Sequence, residues 1–298
     1  MARKENVIGL DFQVPPNSFF GGLGLRPDHY HYLSENFPKH TKWFEAISEN
    51  YMDSEGQPLH KLLSIREKFP LALHGVSMGI GGPDPVDKAY LIRLKKLIER
   101  TQPFVVSDHL CWSGLGNHSA HDLLPLPYTF ETLERIVSKL DMVQNFLGRE
   151  ILLENPSAYV QFSDPDFSEP EFLTEVAKRA GCGILLDINN VYVTCENFKW
   201  NCQQYLAAIP KGLIGQIHLA GFSTMPNFLF DTHGAPVADP VWSLYKEFVR
   251  NLNTIPVMIE WDQDIPAFDE YEAELSQAQK IWKEVHGIQV QTEVSAVL

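Results

Sequence analysis

Apolar residues along this chain follow two alternating rhythms. Short, nearly continuous runs read as strands buried on both faces of a parallel sheet: "VIGLDF" (7–12), "WFEAI" (43–47), "LALHG" (71–75), "FVVSD" (104–108), "ILLEN" (151–155), "GILLD" (183–187), "GQIHL" (215–219) and "VMIEW" (257–261). Between them lie longer stretches whose apolar residues recur near helical spacing. "PLHKLLSIREKF" (58–69) carries Leu59, Leu62, Leu63 and Phe69 in this way. "DPVDKAYLIRLKKLIERT" (84–101) opens with Asp84 as a cap and Pro85 in the first turn. "TFETLERIVSKLDMVQNFLG" (129–148) and "SEPEFLTEVAKRAG" (168–181) each begin with a hydroxyl residue and end in glycine. "PVWSLYKEFVRNL" (240–252) and "YEAELSQAQKIWKEV" (271–285) complete the set.

Strands alternating with helices in this way predict an α/β fold, a (β/α)8 TIM barrel. A doubly wound open sheet is the alternative. It would place a glycine-rich phosphate turn after the first strand, whereas "GGLGLRP" (21–27) lies well past 7–12 and lacks the required glycine spacing. With no low-complexity linker or composition break, residues 1–286 are expected to form one domain and 287–298 a flexible tail.

The apolar runs end in polar residues. "ILLENPSAY" passes from aliphatic residues straight into Glu154 and Asn155, just before Pro156. The other runs deliver His74, Asp108 and His109, Asp187 with Asn190 three residues on, His218, and Glu260; Asp231 and His233 follow in "FDTHGAPV". In a barrel of this kind the active site lies at the C-terminal ends of the strands. On one rim these groups would converge. Several carboxylates in one pocket repel one another, and divalent cations relieve that. Asp, Glu, His and Asn suit Fe, Mn or Zn, and one ion takes about four to six ligands, so this inventory fits about two or three ions.

Taken singly, each residue has a plainer reading. A histidine at a strand end is ordinarily a hydrogen-bonded core residue. Asp187 can cap the following turn, "DTHG" can be a simple turn, and Asp108 with His109 a local pair. Glu45 and Glu49 are read as structural or supporting groups. Coincidence at strand ends is what raises the set above these readings.

Composition narrows the class. The 298 residues are 44% hydrophobic and 21% charged, enough for a large core. A net charge of −14 disfavours nucleic acid as a partner, since binding DNA requires cations along the phosphates. Cys111, Cys182, Cys195 and Cys202 show no CxxC spacing and suggest neither a disulfide framework nor an Fe–S cluster. "MARKENVIGLDF" has no apolar signal core, and no run approaches about 18 apolar residues, so a cytoplasmic protein with no membrane partner is expected.

The stretches "HGVSMGIGG", "SDHLCW", "LLPLPYT", "LLENPSAY", "LLDINNVYV", "IHLAG", "DTHGAPV", "VWSLY" and "IEWD" resemble, in order and over about residues 5–285, the multinuclear non-heme iron-dependent oxidative enzymes. That group, long catalogued as domain-of-unknown-function family 692, lies within the xylose-isomerase-like barrels and includes the iron oxygenase of methanobactin biosynthesis. The resemblance implies a TIM barrel with two or three irons, mixed Fe(II)/Fe(III), and O2 as co-substrate. It implies oxidation of cysteines in a ribosomally made precursor peptide, with the thiolate bound to iron and a separate peptide-recognition partner protein. Carried over motif by motif, His74, His109, Glu154 and Glu260 look like ligands of a first iron. Glu154 would bridge to a second, held also by Asp187, His218 and Glu260. Asn155, Asn190, Asp231 and His233 look like a third site. Glu154, Asp187 and Glu260 are the expected catalytic groups, and Asp108 is expected to orient a ligand imidazole. Arg26 is weighed as a contact for a peptide carboxylate against an ordinary surface arginine. The competing readings are a divalent-metal-dependent sugar isomerase or phosphodiester hydrolase of the same barrel superfamily, and a metal-binding module without chemistry.

Overall fold

The computed structural model describes residue 15 and residues 18–115 and 118–287. Eight parallel strands close into a barrel: β1 (Phe20–Gly24), β2 (Trp43–Ile47), β3 (Leu71–Gly75), β4 (Val105–His109), β5 (Leu152–Glu154), β6 (Gly183–Asp187), β7 (Ile214–Leu219) and β8 (Pro256–Ile259). Each strand pairs with the next, and β1 closes on β8 through Phe20↔Pro256 to Leu23↔Ile259. The TIM-barrel expectation is met. No described helix is long and apolar enough to cross a membrane.

Seven of the expected strands fall on barrel strands, three of them with the expected bounds and the others with ends shifted by one or two residues. The first does not. The run 7–12 lies outside the described residues, and the barrel's first strand is the glycine-rich Phe20–Gly24. Its glycines answer to packing. A Cβ on Gly22 would lie 2.3 Å from the Trp43 indole, and one on Gly21 2.3 Å from the Phe19 ring. The 287–298 tail lies, after Gly287, outside the described residues.

The helices follow their caps. α1 (Gln57–Arg66) is followed by α2 (Lys88–Thr101), which Asp87 rather than Asp84 caps, its side chain accepting from the Ala89 N–H. α3 (Phe130–Leu147) starts at the Thr129 cap and ends at Gly148, φ +72°. α4 (Glu169–Ala180) carries a Ser168/Glu171 capping box and ends at Gly181. α5 (Ile188–Phe198) and α6 (Cys202–Ala208) have no counterpart in the sequence reading, and α7 (Asp239–Phe248) and α8 (Phe268–Val285) lie where expected.

Inside the barrel one end is plugged. Phe20, Trp43, Ala72, Val105, Leu152, Leu185 and Met258, one from each of seven strands, pack with Phe104 into a separate apolar cluster. Trp43 meets Phe104 edge-on at 5.2 Å, and its Nε1 donates to the Phe20 carbonyl. This plug sets the floor on which the polar residues stand.

Candidate metal centre

A strand turns successive side chains to opposite faces, so residues two apart share the barrel interior. Two positions beyond each plug residue stand Gly22, Glu45, His74, Ser107, Glu154, Asp187 and Glu260. One more such step along β4 reaches His109, and β7 contributes Gln216 and His218. The polar strand ends are therefore the second and third interior layers of one barrel. Hydrophobic strands place charged groups there only because the inward period of two is kept.

His74, His109 and Glu154 form the first cluster. His74 Nε2 lies 3.2 Å and His109 Nε2 3.4 Å from Glu154 Oε2. Their opposite nitrogens are held: His74 Nδ1 by Ser107 Oγ at 2.8 Å, His109 Nδ1 by the Gly75 carbonyl at 3.1 Å. A proton on each Nδ1 leaves each Nε2 bare and facing Glu154. Burial depresses both imidazole pKa values, that of His109 strongly, with His74 adding repulsion there. Both are neutral, as metal-binding imidazoles must be.

Glu154, Asp187, His218 and Glu260 form the second cluster and share Glu154 with the first. His218 Nδ1 lies 3.0 Å from Glu260 Oε2 and 3.9 Å from Glu154 Oε2. Its Nε2 lies 3.1 Å from Glu45 Oε1. Burial opposes a charge on His218, yet Glu45 and Glu260 hold its pKa well above the usual range. Burial raises Glu154 well above the ordinary carboxylate range and pushes Asp187 up to about 7, against the attraction of His218 and His233 respectively. Asp187 also caps α5, its Oδ1 accepting from the Asn190 N–H at 2.7 Å.

His233, Glu260 and Asp262 make the third group. His233 Nδ1 lies 3.3 Å from both Glu260 Oε2 and Asp262 Oδ2, and Nε2 lies 2.7 Å from Asp231 Oδ1. His233 takes φ +46°, a backbone conformation uncommon outside glycine and of the kind found at binding sites. Asn190 and Asp231 are joined beside it: Ser157 Oγ lies 3.0 Å from Asn190 Oδ1 and 3.0 Å from Asp231 Oδ2. One hydroxyl proton serves only one of those two acceptors.

Whether these residues suit metal ions can be read from their unsatisfied atoms. His74 Nε2, Glu154 Oε2 and Asp187 Oδ2 are buried and make no hydrogen bond. Leaving such atoms unpaired is costly, and here they point into the same shared space. A nitrogen and oxygen donor set without thiolate suits Fe, Mn or Zn, so the residues fit. Above them opens a pocket of about 550 Å3, lined by His74, His109, Asn190, Asp231, His233, Glu260 and Asp262 among others.

Three expectations change. Asn155 does not line the pocket. Its Nδ2 donates to the Asp187 carbonyl and its Oδ1 accepts from the Asp187 N–H, both at 3.0 Å, so the amide is engaged at both ends. Asp108 orients no imidazole. It accepts from the His109 main-chain N–H, and burial followed by repulsion from Glu49 raises its pKa well above the usual range. Arg26 is no surface arginine: it is 8% exposed, pairs with Asp262 and donates from Nε to the Trp261 carbonyl at 2.8 Å. Two residues join the site that the sequence reading left out of the ligand set. Asp262 follows Glu260 by two positions, which signals the same facing. Glu45 stands as a lone carboxylate amid a buried strand, which is itself a signal.

Comparison with known proteins agrees with this geometry. The family model described as "RiPP precursor modification enzyme MbnB/TglH/ChrH" matches residues 20–283. A UPF0276 protein of Caulobacter vibrioides is 46% identical over 261 residues, covering 88% of this chain and 93% of the relative. One from Anaeromyxobacter sp. is 50% identical over 246 residues, covering 82% and 86%. Among solved structures, 3-keto-D-glucoside 4-epimerase from E. coli superposes with a TM-score of 0.58 at 14% identity, covering 88% of this chain and all of that one (100%). That last likeness speaks for the barrel alone.

Proposed function

The chain belongs to the family of RiPP precursor modification enzymes MbnB/TglH/ChrH, and on that premise we propose that its barrel rim holds about two or three iron ions and uses O2 to oxidise cysteine residues of a ribosomally made peptide. The observation that carries this reading is the convergence of His74 Nε2, Glu154 Oε2 and Asp187 Oδ2, buried and without a hydrogen bond, with His233 Nε2 3.8 Å from Asp187 Oδ2. Iron would supply a redox-active Lewis acid that binds a thiolate and passes electrons to O2.

The residues divide the work by position. His74, His109 and Glu154 hold one ion. Glu154, Asp187, His218 and Glu260 hold the next, with Glu154 shared between them. Asn190, Asp231 and His233 hold a third, and Asp262, pinned by Arg26, faces the other nitrogen of the His233 ring. Asn155 acts through the Asp187 main chain. Glu154, Asp187 and His218 do not line the pocket, whereas His74, His109, His233 and Glu260 do. A peptide cysteine entering the pocket therefore meets His74, His109, His233 and Glu260, while Glu154 and Asp187 stay covered beneath them. A separate partner protein presents the peptide.

The test is oxygen consumption by the anaerobically iron-loaded, reduced protein with a cysteine-containing precursor peptide and its partner. O2 uptake with a change in peptide mass, both abolished by Cys→Ser in the peptide, is the expected result. An unchanged rate with the serine peptide contradicts thiolate binding. Retention of zinc or manganese alone after growth with iron supports the isomerase or hydrolase reading instead. Tight peptide binding by the isolated chain contradicts the partner.

A further inference from the structure

We propose that Glu45 is a positioning residue that fixes which ring nitrogen His218 presents to the metal centre. The inference rests on the reading that the clustered residues hold metal ions. His74 and His109 both have Nδ1 anchored and Nε2 facing Glu154. His218 is turned the other way. Its Nδ1 faces Glu260 and Glu154, and its Nε2 faces Glu45 Oε1 at 3.1 Å.

A neutral imidazole carries one ring proton. If Nδ1 is to hold a metal, that proton sits on Nε2, and the group that accepts it selects the tautomer. Glu45 Oε1, 3.1 Å from Nε2, is placed to accept that proton. Glu45 is 3% exposed and is itself held in place: Gln216 Nε2 donates to Glu45 Oε2 at 2.6 Å. The same Gln216 nitrogen lies 2.8 Å from His218 Nε2, so its amide stands beside the ring nitrogen that faces Glu45. Of the three imidazoles facing Glu154, His218 is the one anchored by a carboxylate. The others rest on a serine hydroxyl and a backbone carbonyl. A carboxylate anchor makes the ring a stronger donor, so Glu45 strengthens the carboxylate-rich side of the centre.

The test uses the full chain with isotope-labelled histidine, loaded with zinc as a diamagnetic probe. Long-range proton–nitrogen correlation spectra report which nitrogen of each ring binds metal and which bears hydrogen. The expected result is His218 bound through Nδ1 and protonated at Nε2, with His74 and His109 the reverse. Glu45→Leu removes the acceptor. Zinc affinity, measured by chelator competition, should fall about 10–100-fold and the His218 Nε2–H signal should vanish. Glu45→Gln offers an amide oxygen and should restore both most of the affinity and the signal, with circular dichroism confirming the fold. His218 bound through Nε2 in the unmutated protein overturns the proposal, whether or not the variants fold. So does a Glu45→Leu protein that binds zinc as tightly with the same tautomer. If the unmutated protein takes up no zinc at these residues, the metal reading falls, and this proposal with it.

Discussion

Asn155 and Asp187 are joined side chain to main chain by a reciprocal pair of hydrogen bonds, each 3.0 Å long, between the ends of adjacent barrel strands. The pair holds the backbone of Asp187 at the point where its carboxylate enters the centre. Asn155→Ala leaves a buried N–H and a buried C=O without partners, at about 1–3 kcal/mol each. The variant should lose about 2–6 kcal/mol of stability in denaturant titration and should bind metal poorly on the Asp187 side while keeping the ion at His74 and His109. Unchanged stability contradicts this role.

Glu154 is the residue the first two clusters share. Its Oε2 lies 3.2, 3.4 and 3.9 Å from nitrogens of His74, His109 and His218. Glu154→Gln should therefore cost more than one metal ion per chain by elemental analysis and abolish turnover, with the fold intact by circular dichroism. A full metal complement in this variant contradicts the shared position.

Glu169 tests the electrostatics away from the centre. It is buried and accepts from Tyr205 OH at 2.6 Å and Tyr128 OH at 3.1 Å. Burial raises its pKa from 4.5 to about 7, against those two hydrogen bonds. Across that window the folded protein holds a proton that the unfolded chain has lost. Stability therefore falls as pH rises through it and levels off above, by about 3 kcal/mol in total. Glu169→Gln should remove this slope, so that unfolding free energies of variant and parent diverge as pH rises from 4.5 to 7. Parallel curves contradict it.

Gly22 tests why the first strand is glycine-rich. A methyl group there would sit 2.3 Å from the Trp43 indole, in the interior layer that follows the apolar plug. Gly22→Ala should destabilise the chain by about 1–3 kcal/mol, read as a lowered melting temperature. An unchanged melting temperature contradicts the packing argument.

That strand also shows where the sequence stops being legible. Runs such as "GILLD" and "LALHG" announce themselves because both faces are apolar, and their matches at Gly183–Asp187 and Leu71–Gly75 are complete. "FGGLG" gives no such signal, since its glycines meet a close approach by other side chains, a tertiary fact. α5 was hidden because its first residues, "INN", read as site residues following Asp187, and polar or β-branched residues weaken the helical pattern. Within the centre, their place at the ends of apolar runs made His74, His109, Glu154, Asp187, His218 and Glu260 visible, and MbnB/TglH/ChrH membership agrees with the motifs that contain them. Position at a run's end does not separate Asn155 from Glu154, although along a strand the two point to opposite faces. Which partner an outward amide takes is set by the neighbouring strand. The pairing of Arg26 with Asp262 joins residues 236 positions apart and leaves no local trace.

The central claim, a multinuclear iron centre organised around Glu154, is tested most directly by Mössbauer spectroscopy of the chain loaded anaerobically with enriched iron and then partly oxidised. About two or three irons per chain are predicted, at least two of them magnetically coupled, with the coupling lost in Glu154→Gln. A single isolated iron per chain, or coupling that survives in Glu154→Gln, would contradict it.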